Sequence, residues 1–353
     1  MLLEGIFAAI TTPFYSDERI YLRKLQANVE RYSRSLLAGL VVLGSTGEAV
    51  SLNDAESRDV LRTASEAAAA EKVLIAGVGR ESVKGTLELA EGAAEFGYDA
   101  VLVKTPTYYS AKMSQSPAVL NYFRSVADRS PLPVVLYNIP QCAPYDIPIE
   151  VIADLAQHPN IIGIKDSSGS LDRIRATVEA TRSAPRRNVT VTPIFEAVTG
   201  RMMAKKPAPE AAFVPAGGLA DAAAEAAAVS PGPAPKTRTK EVGFQTLTGS
   251  GGRILPALQS GACGAVVAFA ACAPEACTEI YLAWKDHDLK LAEEKQRRIV
   301  EPERRIAAAI GIGGVKYACD FNGYYGGRAR APLLALTAEQ RSEIEQLLAE
   351  IRS

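Results

Sequence analysis

Residues 161–169 read IIGIKDSSG. Three isoleucines and a glycine lead into Lys165, and Asp166, Ser167, Ser168 and Gly169 follow at once. This is the pattern of a buried parallel strand that ends in a polar turn. In a parallel α/β protein the carboxyl ends of the strands face the active site, so an amine there is placed for chemistry. A strand-end lysine can also snorkel its ammonium to water, and the segment alone admits both readings.

Strand-like and helix-like segments alternate on either side of it. GIFAAITTPF (5–14) precedes an amphipathic stretch from Leu22 to Leu37, and GLVVLGS (39–45) precedes a helix that Asn53 and Asp54 are suited to cap. VLIAGVG (73–79), AVLVKTP (100–106), PVVLYNIP (133–140) and IIGIKDSS (161–168) precede helical stretches at 82–96, 117–128, 148–157 and 171–182. GFQTLTGS (243–250) is followed by a helix from 252, and GAVVAFA (264–270) by a helix from Pro274. Eight such units predict a parallel sheet with helical crossovers. The turn after the first strand, TTPFYSDE, lacks GxGxxG, which removes the main support for an open dinucleotide-binding sheet. The expected fold is α/β, a closed (β/α)8 TIM barrel over 1–288 with additional C-terminal helices. These fall at about 289–310 and 338–351, in an extension spanning 289–353.

One interval is too long for this scheme. Between the sixth helix and the seventh strand, 184–241 exceeds a short αβ loop by about fifty residues. VTVTPIFEAVTGRMM (189–203) has room for a short strand and helix, whereas 204–240 is rich in Ala, Pro and Gly and predicts a flexible or partly ordered excursion. An αβ connection emerges on the bottom face of a barrel, so a surface or interface role is expected there rather than a catalytic one.

With 353 residues, 48% of them hydrophobic, the chain can bury a large core. The 39 basic and 40 acidic side chains balance to −1 without long single-sign blocks, so neither nucleic acid nor a membrane surface is indicated as a partner. Glu4 interrupts the apolar start, and no run approaches the ~18 uncharged apolar residues of a membrane span, so a cytoplasmic protein is expected. The five cysteines form no CxxC pair, and His158 and His287 lie far apart. That spacing argues against a disulfide scaffold and against a metal site. Acid–base chemistry then falls to Lys, Tyr or carboxylates.

Several polar groups collect at the carboxyl ends of the strands. The second strand delivers GSTGE (44–48), whose Ser45 and Thr46 hydroxyls can hold a carboxylate. The fourth delivers TPTYY (105–109), the fifth YNIP (137–140), and the sixth Lys165. The seventh ends in TGSGG (248–252), where Gly249 would let a ligand lie against bare backbone. These residues fit one reaction type. A lysine amine condenses with a 2-oxo acid to an imine, an electron sink for making or breaking a carbon–carbon bond. Burial among apolar strands disfavours an ammonium, and the run before Lys165 would supply that burial. Tyr137, at the end of the neighbouring strand, is placed to move protons, and the covalent imine needs no cofactor.

GSTGE, TPTYY, YNIP and GIKDSSG, in this order and on these strands, resemble the dihydrodipicolinate synthase / N-acetylneuraminate lyase family of class I pyruvate aldolases. The resemblance spans the chain apart from 184–241. It implies that Lys165 is the Schiff-base lysine, that Tyr137 transfers protons, and that Ser45 and Thr46 bind the pyruvate carboxylate. It further implies that Ser45 links Tyr137 to Tyr108 in a relay, with Tyr108 reaching in from a neighbouring subunit of a homo-oligomer, a dimer or a tetramer.

Departures from the family pattern narrow the substrate. Synthases carry an arginine two residues after the YNxP proline to grip an anionic aldehyde, and Cys142 stands there in YNIPQCAP. Sialic acid lyases place acidic residues after the strand-7 glycine, where this chain has Ser250, Gly251 and Gly252. TPTYYSAKMS (105–114), AQHPNIIGIKDSSG (156–169) and FNGYYGGRARAPL (321–333) resemble 4-hydroxy-2-oxoglutarate aldolases. The implied reaction is cleavage of 4-hydroxy-2-oxoglutarate, or a related 4-hydroxy-2-oxo acid, to pyruvate and a small aldehyde such as glyoxylate. Ser167 is then placed to hydrogen-bond the C4 substituent, and Arg253 is a weaker candidate for the second carboxylate. The alternatives are dihydrodipicolinate synthesis, 2-keto-3-deoxy sugar acid aldolase or dehydratase activity, and a non-catalytic 2-oxo acid binding module.

Overall fold

Short runs of Val, Ile and Leu buried on both faces can only pair inside a closed or covered parallel sheet. The computed structural model describes residues 1–204 and 236–352. Eight of its strands close such a ring. Six lie in the first half: β1 (Gly5–Ala9), β2 (Gly39–Val42), β3 (Val73–Gly77), β4 (Ala100–Lys104), β5 (Val134–Asn138) and β6 (Ile161–Asp166). Two more strands, β7 (Arg187–Val191) and β8 (Arg238–Val242), form a separate antiparallel hairpin. β9 (Gln245–Thr248) and β10 (Gly264–Val267) complete the barrel, with β6 pairing β9 and β10 pairing β1, all parallel. This is the (β/α)8 fold expected from the alternation.

The helices that follow the strands begin where the sequence offers caps. Asn53 and Glu56 form a reciprocal capping box at the helix Asp54–Ala67, and Ser82 and Ser170 cap the helices Val83–Glu95 and Leu171–Ala180. Two apolar layers result. Phe7, Val41, Ile75, Leu102 and Val135 fill the barrel interior, and a larger shell packs the strands' outer faces against the helices.

The hairpin belongs to the long interval 184–241. Val189, Val191 and Val242 pack on Leu2 at the amino end of β1, and Lys240 pairs with Glu4 at 2.5 Å. The hairpin therefore lies against the bottom of the barrel, away from the strand ends that carry Lys165. A helical turn, Gly200–Met203, follows within it. Most of the stretch 204–240, expected to be a flexible excursion, lies outside the described residues. Its end differs from that expectation, because 238–240 open β8. RTKEV lacks the apolar alternation of a half-buried strand, and pairing with β7 overrides its weak propensity.

The C-terminal extension also differs in detail. The helix Leu289–Glu303 runs on into a π-helical segment, Arg304–Ile310, and the last helix is Ala338–Arg352. Between them stands a further helix, Ile312–Phe321, that Gly313 and Gly314 concealed, since glycine is a poor helix former. No described helix is long and apolar enough to cross a membrane.

Candidate active site

Lys165 owes its direction to an irregularity in β6. Along β5, Val134 and Leu136 face the helical shell while Val135 and Tyr137 face the interior. The β5–β6 register slips by one residue, so that Val134 pairs with Ile161 but Val135 pairs with Gly163. Ile162 is the extra residue, as in a β-bulge, and it restores Lys165 to the inner face opposite Tyr137. Without the slip, strict alternation from Ile161 would aim Lys165 at the helices. Lys165 is 4% exposed, and its Nζ lies 4.1 Å from the Tyr137 ring centroid. Among the described residues Nζ has no hydrogen-bond partner, which leaves the group free to meet a ligand.

The residue after Lys165 anchors the turn. Asp166 is buried and accepts hydrogen bonds from Arg173 Nε (2.7 Å), Asn138 Nδ2 (3.1 Å) and the Ser168 backbone N–H (2.9 Å). Asn138 also donates to Asp146 and accepts from the Ile147 N–H, which ties the YNIP turn to its neighbour. Gly249 N–H donates to the Asp166 carbonyl at 2.7 Å. Ser167 sits so close to this glycine that a Cβ on Gly249 would come within 1.9 Å of Ser167 Oγ. A side chain at 249 would have to displace the Ser167 hydroxyl and crowd its Cβ at 2.9 Å.

On the opposite side, a cavity of about 370 Å³ opens at the ends of β2 to β5. Ser45, Tyr108 and Tyr137 line it together, while Thr46 is buried within its turn behind the lining. No hydrogen bond joins the hydroxyls of Ser45, Tyr108 and Tyr137 within the described chain. Thr12 Oγ1 donates to the Gly47 carbonyl at 2.7 Å and braces that turn from the β1 side. Tyr108 stands at the rim, 80% exposed. Its backbone is clamped by Glu81, which accepts from the N–H groups of Thr107 (2.9 Å) and Tyr108 (3.0 Å) and from Lys104 Nζ (3.0 Å). Burial alone would raise the Glu81 carboxyl, but these donors bring it down to about 2.

The structure thus brings Ser45, Tyr108 and Tyr137 to one cavity and sets Lys165 against the Tyr137 ring, while Lys165, Ser167 and Gly249 lie outside the lining of that cavity. Arg253 is exposed on the turn after β9, and Cys142 is exposed beside YNIP. Sequence reading assigned no role to Asn138, Asp166, Glu81 or Glu48. The first two were visible inside their motifs, but the partners that give them meaning, Arg173 and Asp146, lie in other segments.

Residues 2–185 and 235–351 match the dihydrodipicolinate synthetase family. The chain belongs to that family. It is 26% identical over 350 residues to the 4-hydroxy-tetrahydrodipicolinate synthase of Methanococcoides burtonii, covering 99% of each chain. It is 29% identical to the L-threo-3-deoxy-hexylosonate aldolase of Aspergillus niger, over 98% of this chain and 94% of the relative. Among solved structures it is similar to a dihydrodipicolinate synthase from Bacillus anthracis, with a TM-score of 0.77, 23% identity and 99% of each chain covered. It is equally similar to a family protein of E. coli K12 solved with pyruvate, at a TM-score of 0.77 and 22% identity, over 100% of this chain and 99% of that one. The chain is therefore an enzyme of the aldolase and lyase type that the dihydrodipicolinate synthetase family contains.

Proposed function

We propose that this enzyme cleaves a 4-hydroxy-2-oxo acid, 4-hydroxy-2-oxoglutarate first, to pyruvate and glyoxylate through an imine on Lys165. The observation that carries this reading is the buried Lys165 amine facing Tyr137 inside the barrel, with the Ser45 hydroxyl on the same cavity as Tyr137.

In this reading the Lys165 amine adds to C2 of the substrate, and the carbinolamine loses water to give a protonated imine. Tyr137 gives its phenolic proton to the departing hydroxide and then, as phenolate, takes the proton of the C4 hydroxyl; the C3–C4 bond breaks, and its electron pair flows into the imine to leave an enamine. The aldehyde departs, C3 of the enamine is protonated, and water releases pyruvate from Lys165. Ser45 and Thr46 hold the carboxylate at C1, and Ser167 faces the C4 substituent across the bare Gly249. Oligomerisation would bring Tyr108 of one copy to the cavity of the next, and the exposed apolar side chains Val50, Tyr108 and Tyr109 support such an interface.

Cys142 supports cleavage over dipicolinate synthesis, since no guanidinium stands there for an anionic aldehyde. A second reading, cleavage of a 2-keto-3-deoxy sugar acid, draws support from the Aspergillus aldolase. The test is product analysis. 4-Hydroxy-2-oxoglutarate should yield pyruvate and glyoxylate in equal amounts, at a higher kcat/KM than a 2-keto-3-deoxy hexonate yields pyruvate. The reverse order would select the second reading, and condensation of pyruvate with aspartate semialdehyde alone would overturn both.

A further inference from the structure

The turn that carries Ser45 and Thr46 ends in Glu48, whose backbone is left-handed at φ 56°. Its side chain leaves the cavity and enters the protein, where it meets Lys316 from the helix Ile312–Phe321. The Lys316 Nζ to Glu48 Oε1 distance is 2.5 Å, and the two side chains are 0% and 1% exposed. Lys316 also donates to the Arg328 carbonyl at 2.8 Å, and Nζ stands 4.3 Å from the Phe14 ring centroid. The second Glu48 oxygen accepts the Arg330 backbone N–H at 2.8 Å. Arg330 also pairs with the Glu56 carboxylate at 2.8 and 2.9 Å and donates to the Ser51 carbonyl at 2.7 Å. The loop that brings Arg328 and Arg330 round passes so near the helix that a Cβ on Gly326 would lie 1.8 Å from the Lys316 carbonyl.

A wholly buried ion pair is a poor way to gain stability, because desolvating both charges offsets most of their attraction and an apolar pair of similar volume is often as stable. What such a pair supplies is geometry. Here it ties the end of the Ser45–Glu48 turn to the helix Ile312–Phe321 and to the Arg330 backbone. From the other side Thr12 holds the Gly47 carbonyl. Both restraints act on the residues that directly follow Ser45 and Thr46, so the turn that carries the two hydroxyls is held at its carboxyl end.

We propose that Lys316 and Glu48 are positioning residues for substrate-carboxylate recognition. The C-terminal helices, through this pair, hold the Ser45–Thr46 turn in the form that accepts the C1 carboxylate of a 2-oxo acid. The proposal rests on the imine reading above and adds to it a residue that touches no substrate.

The test compares pyruvate with pyruvamide, which has the ketone but no carboxylate. Borohydride trapping on the intact chain is measured against ligand concentration for the wild type, for Lys316→Met, for Glu48→Gln, and for the charge-free pair Glu48→Met/Lys316→Met. The double variant is expected to fold even where a single one does not, since it leaves no unpaired buried charge. A turn displaced by an ångström or less should raise the half-saturating pyruvate concentration about tenfold to a hundredfold. Pyruvamide trapping should shift far less than pyruvate trapping, by about twofold, because its neutral carboxamide lacks the charge-assisted hydrogen bonds that a carboxylate makes with the turn. A merely structural role would lower both ligands' trapping together, and that result would overturn the proposal. Unchanged pyruvate saturation in the folded double variant would also overturn it, as would failure of every variant to fold. Absence of any adduct in the wild type would instead overturn the imine reading, and this proposal with it.

Discussion

Lys165 Nζ stands 4.1 Å from the centre of the Tyr137 ring, with the two residues paired directly across β6 and β5. The ring face is in contact with the Lys165 head group, and the proposed reaction assigns its proton transfers to the hydroxyl. The variant Tyr137→Phe separates the two roles. It should melt within a few degrees of the wild type while kcat falls by about 10²–10⁴-fold, the usual worth of a general acid–base group. Rapid-quench trapping should show slowed imine formation. A variant that keeps wild-type kcat would remove Tyr137 from the proton path.

Gly163, the first residue past the slip that aims Lys165 inward, lies close against β9. A Cβ there would lie 2.3 Å from the Gln245 carbonyl oxygen, a backbone atom that cannot swing aside. Gly163→Ala should cost about 1–3 kcal/mol or somewhat more, as overpacked sites do. Urea unfolding reads this directly, and an unchanged midpoint would mean that β6 and β9 separate without cost.

Asp166 and Arg173 form a pair at 2.7 Å with side chains 1% and 13% exposed. Removing one partner strands the other, so Arg173→Met should destabilise by about 3–5 kcal/mol. The loss should be visible as an earlier denaturant midpoint. It should also loosen the Ser167–Gly169 turn, so catalysis should suffer even at temperatures where the variant is folded.

The alternation of eight strand and helix segments was readable because each unit spans neighbouring residues, and so were the strand-end groups Lys165, Tyr137 and Ser45. The bulge at Ile162 was not, since IIGI reads the same with or without a slip and only pairing with β5 decides it. Lys316 was hidden for a different reason. It looks like any helical lysine until the fold brings it to Glu48 from the far end of the chain. The helix that carries it was itself masked by Gly313 and Gly314, which tertiary packing tolerates and local propensity does not.

The Glu81 clamp carries a pH dependence with a definite sign. Its carboxyl lies at about 2 in the folded chain, against an ordinary 4.5. A depressed carboxylate contributes its full hold above the ordinary value and loses it as pH falls from there toward the folded value. The Thr107 and Tyr108 amides should therefore stay protected at pH 5 and above and open progressively as pH falls from 4.5 toward 2. Hydrogen exchange corrected for intrinsic rates measures this. In Glu81→Gln the same amides should be less protected at neutral pH, with the acid step gone; a step that survives would assign it to another group.

The account turns on the amine of Lys165, and borohydride reduction in the presence of pyruvate tests it most directly. Intact mass should show one reduced pyruvate per chain in the wild type and none in a folded Lys165→Ala variant. An adduct of equal size in both would place the imine on another lysine, and no adduct in either would leave the chain a binder of 2-oxo acids rather than an enzyme that forms a Schiff base.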